Sequence, residues 1–432
     1  MMEQKEDGRE TIGQPDLREP SAEESVVIPA VEAPSSVWCL RSLNKRGIHT
    51  IAAGENASSP AFASRYCSES IQIPGPTTDL VAYKNALATL ARRSDVRAII
   101  PLREPDVYVL SKYSDEFQDQ VVPLWPSFDS LECVHDRVKL VEAAKRAGVS
   151  VPETRLLDEV NQWDRNLIIK ARYALVTNQY VSAADTDGIF DAGPTRYLRP
   201  GSEPDTEHIS TEMGHVPIVQ EYVPGTEYTF RGLWDHGKPI VTLGKRLVRG
   251  MKYPRGPSVS HEAVDDPELE AAANAILEEL DWHGLASVGF MKDAKTGEYK
   301  LLEVNPRFWA SLPSDIHAGA DQPYYYWLHA VGETDRIDPS FEAGVMSHRL
   351  RGLASHLHSV AREEYPLVER PSLPGTVWEI ARDIYRHPHF DLLSVDDPGP
   401  FIQDVWNSVG DIDLPDIRTE TLLSEPTRDV DD

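Results

Sequence analysis

Cysteine is scarce, with three in 432 residues. Cys39, Cys67 and Cys133 are far apart and form no C-x-x-C pair. That excludes a disulfide framework and a thiolate metal site, and the thiols are read as reduced and structural. Lysine is also scarce, 13 against 30 arginines, and 70 acidic residues bring the net charge to −27. A basic face for nucleic acid or an anionic membrane is therefore not expected. No apolar run approaches the length of a membrane-spanning helix. The start, MMEQKEDGRE, lacks the basic and apolar regions of a signal peptide, so the chain is read as cytoplasmic. There is no G-x-G-x-x-G, hence no support for a dinucleotide site. The fourteen histidines show no zinc-binding spacing. His356-Leu357-His358 and Arg386-His387-Pro388-His389-Phe390 are read as surface clusters.

What is present is an acidic, lysine-poor but ordinarily apolar chain, 41% hydrophobic with mean hydropathy −0.40. The length allows two or three domains with cores of their own. An acidic surface poor in lysine suits very high salt, so a halophilic cytoplasm is the preferred explanation. An ordinary acidic enzyme with acidic tails is the alternative.

The pattern alternates β and α elements from Val26 onward. Residues 1–25 are read as a disordered acidic N-terminus, with eight acidic and three basic side chains in the first 24. Strands are expected at Ile48–Ala52 and Val96–Pro101, with helices at Ser36–Arg46 and Thr78–Arg93. This argues for a small parallel sheet covered by helices over 26–126. A second unit, 127–332, opens with a helix from Asp136 to Ala147, stopped by Gly148. Strands follow at Leu167–Lys170, Ile218–Val223, Thr226–Trp234 and Pro239–Arg249, then an amphipathic helix at Pro267–Leu280. Residues 333–410 are read as a C-terminal helical extension and 411–432 as an acidic tail. No internal repeat is visible.

The most informative stretch is Glu303-Val304-Asn305-Pro306-Arg307. It ends an alternating run, Tyr299 to Val304, that reads as a strand. Glu303 and Asn305 then share one face, while Leu302 and Val304 point into a core. Two oxygen ligands followed at once by a guanidinium suit a magnesium–phosphate complex. The strand's partner is Trp282–Asp293, joined through Ala294-Lys295-Thr296-Gly297-Glu298. Pairing Asp293 with Tyr299 would set Gly289 opposite Glu303.

Read in order, these pieces resemble the ATP-grasp superfamily over about residues 26–332. His135-Asp136-Arg137 before the Ala144–Pro152 segment looks like the helix entry whose basic residue reaches a nucleotide phosphate. Ile168-Ile169-Lys170 is similar to the strand whose lysine contacts phosphate and the adenine edge. The segment from Val219 to Glu227 looks like the hinge strand. There, Gln220, Glu221, Tyr222 and Val223 would read adenine, and Glu227 would hold the ribose hydroxyls. Leu302 to Arg307 matches the metal strand. The chain resembles haloarchaeal carboxylate–amine ligase-like proteins in particular.

That resemblance implies a mixed α/β and α+β chain, with a pre-ATP-grasp Rossmann-like parallel sheet followed by a two-subdomain ATP-grasp fold. It implies ATP with Mg²⁺ or Mn²⁺, the metal on Glu303 and Asn305. Arg307 and Lys170 would be catalytic, and Arg137 and Lys245 would bind phosphate; Arg246 and Arg249 share the Lys245 strand as alternatives. The expected reaction joins a carboxylate to an amine through an acyl phosphate. Partners are those small molecules, with any assembly expected to be a homodimer. Two departures stand out. The segment Ala171 to Asn178 carries no glycine, and Arg172 is expected to supply charge in place of a backbone cradle. Gly289 stands where relatives carry an acidic metal ligand. A degenerate nucleotide-binding sensor or scaffold, or a carboxylase acting through carboxyphosphate, are the alternatives.

Overall fold

A computed structural model describes residues 24–29, 33–181, 188–254, 256–365 and 367–410, with the side chains of 409 and 410 outside the description. The two terminal segments expected to be acidic tails lie outside the described residues, apart from Glu24 and Ser25.

The first unit is β1 (Ser25–Pro29), α1 (Pro34–Asn44), β2 (His49–Gly54), β3 (Glu69–Gln72), α2 (Leu80–Ala91), β4 (Val96–Ile99), α3 (Glu104–Lys112) and α4 (Phe128–His135). Its sheet runs in the order β3-β2-β1-β4 and all its pairs are parallel. Helices cover both faces of such a sheet, so its central strand is a continuous apolar run: Val26, Val27 and Ile28 are fully buried. The helix expected at Thr78 starts at Leu80 because Asp79 caps it, accepting from the Ala82 amide at 2.8 Å.

The second unit opens with α5 (Arg137–Arg146), β5 (Thr154–Leu156), β6 (Leu167–Lys170), the short β7 (Val176–Thr177) and β8 (Ile189–Phe190), β9 (Arg196–Leu198), α6 (Thr206–Met213) and β10 (Ile218–Glu221). β5, β10, β6 and β9 form an antiparallel sheet in that order. Then come β11 (Gly225–Asp235), β12 (Lys238–Gly250), β13 (Ser258–Val264), α7 (Pro267–Glu279), β14 (Gly284–Asp293), β15 (Tyr299–Asn305), α8 (Leu312–His317), α9 (Gln322–Ala330) and β16 (Met346–His348). Their sheet is ordered β15-β14-β11-β12-β13-β16. The long β11–β12 hairpin turns at His236 and Gly237, whose φ of 45° and 74° suit a tight two-residue turn.

The chain ends in α10 (Leu350–Arg362), α11 (Leu373–Arg386) and α12 (Gly399–Gly410). The extension was expected to be helical, but it also donates β16 to the large sheet, beside β13. The strand is only three residues long, too short for a periodic signal. His356, expected at the surface, is buried and its Nδ1 sits 2.8 Å from the Gly250 carbonyl.

The cores explain how the parts are joined. Val27 and Ile51 of the parallel sheet belong to one apolar cluster with Phe230, Trp234 and Val288 of the six-stranded sheet. The β5-β10-β6-β9 sheet has a small cluster of its own, including Leu157, Leu167, Ile169 and Val219. A sheet with a separate core, tied in through the β10–β11 strand passage, is suited to move as a body against the rest.

Candidate active site

The expected β14–β15 hairpin forms, with a different register at its loop. Lys292, not Asp293, pairs with Tyr299. A bulge between Gly289 and Phe290 then shifts the ladder by one, and Gly289 lies opposite Glu303 after all. The extra residue on β15 is Leu302. In consequence Leu301 and Val304 enter the core, while Leu302, expected inside, is only half-buried. A bulge depends on the partner strand, so period-two alternation along one strand could not show it.

Opposed residues share a face. Glu303, Gly289, Thr229 and Lys245 therefore form one row across β15, β14, β11 and β12. Asn305, Ser287 and Arg231 form the next. Above these rows lies a cavity of about 450 Å³, whose lining includes Glu227, Arg231, Lys245, Glu303, Asn305 and Arg307. An ideal Cβ on Gly289 would come 3.2 Å from Glu303 Cγ. The glycine thus leaves room for the Glu303 side chain to lie across it.

Asn305 Nδ2 donates to Glu303 Oε1 at 3.0 Å. With its amide turned so that Oδ1 faces the same point, the pair offers hard oxygen ligands. Glu227 lines the same cavity. This set fits Mg²⁺ or Mn²⁺, which bind a few protein oxygens and complete their shell with phosphate and water.

On the same sheet face, Arg231 and Lys245 are buried cations. Arg231 donates to Asp315 Oδ1 at 2.6 Å and Ser311 Oγ at 2.6 Å, and its guanidinium lies 4.8 Å from the centre of the Trp309 ring. Trp309 Nε1 donates to the other Asp315 oxygen at 2.9 Å. Lys245 Nζ is 3.4 Å from Asp315 Oδ1. Burial brings the Lys245 ammonium down to about 7; Asp315 opposes the fall and Arg231 adds to it. Burial likewise pulls His261, on the same cavity, well below its usual range, with the charges of Arg231 and Lys245 adding.

Arg307 reaches across to the first unit. Its Nε donates to Glu104 Oε1 at 3.1 Å and its Nη1 to the Phe308 carbonyl at 3.0 Å. His135 Nε2 lies 3.4 Å from the other Glu104 oxygen. Burial pushes the Glu104 carboxyl up, but the His135 hydrogen bond and the Arg307 charge outweigh it and hold it low. Glu104 and Asp315 were missed in the sequence. A signal existed for Glu104: it opens a helix just past the carboxyl end of a parallel strand, where ligand groups of α/β sheets gather.

Arg137, at the start of α5, donates from Nη1 to the Ala171 carbonyl at 2.8 Å. Burial lowers its pKa, opposed by the charges of Glu303 and Glu104. Its charge is therefore felt by Glu303 of β15, although Arg137, Lys170 and Gln220–Val223 are not part of the cavity lining. Lys170 ends β6 beside Ile218 of β10. Gln220 is buried and donates from Nε2 to Thr154 Oγ1 at 3.0 Å. Glu221 takes Lys300 Nζ at 2.6 Å, and the Tyr222 amide donates to the Asn166 carbonyl. The side chains of Gln220 and Glu221 are thus engaged within the protein.

Two arginines weighed for charge supply are engaged elsewhere. Arg172 forks onto Asp136 at 2.9 and 2.6 Å, so it is no substitute for a phosphate cradle. Arg249 turns away to Asp383 at 2.7 Å in α11. Arg246 stays on the cavity lining, paired with Glu262. Of Lys245, Arg246 and Arg249, Lys245 is the one that is both buried and part of the cavity lining.

Residues 215–350 match the family model described as "ATP-grasp in the biosynthetic pathway with Ter operon". A D-aspartate ligase of Enterococcus faecium (strain Aus0004) is 30% identical over 99 residues, which cover 21% of this chain and 23% of that ligase. The chain thus matches under a quarter of that relative's length. The fold resembles N5-carboxyaminoimidazole synthetase from Staphylococcus aureus, with TM-score 0.56 and 14% identity, covering 84% of this chain and 97% of that one. It also resembles the L-amino acid ligase of Bacillus licheniformis, with TM-score 0.54 and 12% identity, covering 75% of this chain and 78% of that one. An ATP-grasp family model thus matches residues 215–350, and the fold is shared with these two solved structures.

Proposed function

We propose that the protein joins a carboxylate to an amine at the cost of ATP, through an acyl phosphate. One observation carries this reading. A single cavity sets the oxygen ligands Glu303 and Asn305 beside the cations Arg231, Lys245 and Arg307. Such a site suits a polyphosphate and an acid at close quarters. The similarity to a D-aspartate ligase supports it.

Carboxylates are poor electrophiles at neutral pH. Transfer of the γ-phosphoryl group to a carboxylate oxygen releases ADP and leaves a mixed anhydride. The amine nitrogen then attacks the carbonyl carbon, and inorganic phosphate departs with the C–O electron pair. Catalysis is mostly positioning and charge neutralisation. Glu303 and Asn305 hold Mg²⁺ or Mn²⁺, which when bound supplies neutralisation along the phosphates. Arg307, fixed by Glu104 and the Phe308 carbonyl, steadies the transferred phosphoryl group. Arg231 and Lys245 hold anionic charge at the cavity floor. Arg137 and Lys170 reach phosphate, Glu227 the ribose, and the Gln220–Val223 backbone the adenine.

The test is ADP release from Mg·ATP with a panel of amino acids, each with and without a second amine. Turnover requiring both an acid and an amine supports the ligase. Turnover on bicarbonate in place of the acid would mark a carboxylase instead. Tight ATP binding without turnover on any pair would mark a sensor.

A further inference from the structure

At the far end of the β11–β12 hairpin, two turns lie side by side. The Gly237 amide donates to the Trp282 carbonyl at 2.8 Å and ties them together. Asp235 and His236 come from the hairpin turn, Asp281 and His283 from the turn before β14. One ligand atom from each of Asp235, His236 and His283 falls within 4.8 Å of the others. His236 Nδ1 also lies 3.4 Å from Asp281 Oδ2.

The protonation of His283 follows from its partners. Its Nε2 is 3.0 Å from the Pro123 carbonyl. A carbonyl oxygen only accepts, so Nε2 carries a proton. In the neutral ring Nδ1 is then a bare lone pair, and among the described residues it meets no donor. It faces Asp235 Oδ1 at 3.1 Å. Two acceptors at that distance repel unless something positive lies between them. A metal cation bound by both meets that need.

We propose that Asp235, His236 and His283 bind one divalent transition ion of the zinc class, with Asp281 at its edge and water in the open positions. Mixed imidazole and carboxylate donors suit Zn²⁺ over Mg²⁺. Two ligands on a tetrahedral zinc ion sit roughly 3.3 Å apart, since each bond is about 2.0–2.1 Å. The His283–Asp235 separation is close to that. The His283 N–H on a backbone carbonyl is the usual outer support of a metal-bound imidazole. The His236 ring lies nearly parallel to His283, at 4.8 Å and 23°. Exposed on its turn, it swings about χ1 to bring its lone pair to the ion.

This site is separate from the cavity. Asp235 is four residues along β11 from Arg231, roughly 13 Å at about 3.3 Å per residue. The ion would tie the hairpin turn to the β14 turn and, through His283, to the Pro123 segment leading into α4. Its role is structural.

Calorimetric titration of the full chain with Zn²⁺, in excess Mg²⁺ to fill the oxygen-ligated site, tests this. One Zn²⁺ per chain is expected, with a raised unfolding midpoint. Asp235→Asn and His236→Ala alter exposed side chains and should fold. Each should weaken Zn²⁺ by about tenfold or more and lose the thermal shift, with Mg·ATP affinity unchanged. Absence of Zn²⁺ binding to the wild type, or equal Zn²⁺ affinity in both folded variants, would overturn the proposal.

Discussion

Arg307 and Glu104 form an ion pair at 3.1 Å between the segment just after β15 and a helix of the parallel-sheet unit. The guanidinium that would meet the transferred phosphoryl group is therefore oriented from outside its own sheet. Glu104→Gln keeps the shape and removes the charge. The loss of one charge-assisted hydrogen bond should cost roughly 1.5–3 kcal/mol of stability. Turnover should fall with little change in the KM for ATP, because Arg307 would be misplaced rather than removed. Steady-state kinetics with wild-type kcat would show that Glu104 only joins the domains.

Glu303 should be indispensable to the metal. Glu303→Ala is expected to abolish Mg²⁺-dependent ATP binding, and Glu303→Asp only to weaken it, since the shorter acid keeps its charge. Isothermal titration showing wild-type Mg·ATP affinity in Glu303→Ala would remove β15 from the site.

Binding an anion beside Lys245 should take up a proton. The free ammonium titrates at about 7, below its ordinary 10.5. A bound phosphate or carboxylate favours the charged form and raises that value. At a pH between the two, the free side chain is mostly neutral and the bound one charged, so uptake approaches one proton. Below 7 both are charged and uptake vanishes. Calorimetry in buffers of different ionisation enthalpy reads this directly. Lys245→Met should lose the uptake; its persistence there would assign the proton to another group.

Gly289→Ala should disturb the site more than the fold. The added Cβ would press on Glu303 Cγ, 3.2 Å away. The exposed, flexible glutamate can yield, so the unfolding midpoint should move little while Mg²⁺ affinity drops several-fold. Gly289→Glu would add a carboxylate beside the displaced one and should recover part of that affinity. If both variants bind Mg²⁺ as the wild type does, position 289 has no part in the metal site.

The net charge of −27 predicts a salt-dependent fold. Screening shortens the reach of self-repulsion, to about 3 Å at 1 M salt. The thermal midpoint should climb with KCl well past physiological ionic strength. A flat profile would leave an acidic protein with no adaptation to salt.

Much of this was legible in the chain because it is local. The alternation from Tyr299 to Val304, the glycine at 297, the Asp-His-Gly turn at 235–237 and the helix stop at Gly148 each follow from a few neighbouring residues. They place the strands, and Glu303-x-Asn305 on one face follows from the pleat. Tertiary structure decided what depends on partners far away in sequence. The Leu302 bulge is set by β14. Glu104 meets Arg307 from 203 residues away, and Asp315 becomes the counter-charge of Arg231 and Lys245 only when α8 packs beside β13 and β16. Lys245, Arg246 and Arg249 look equivalent along the chain. Folding buried the first, paired the second with Glu262 and turned the third to Asp383, because side-chain chemistry is local but desolvation and charge pairing belong to the packed molecule.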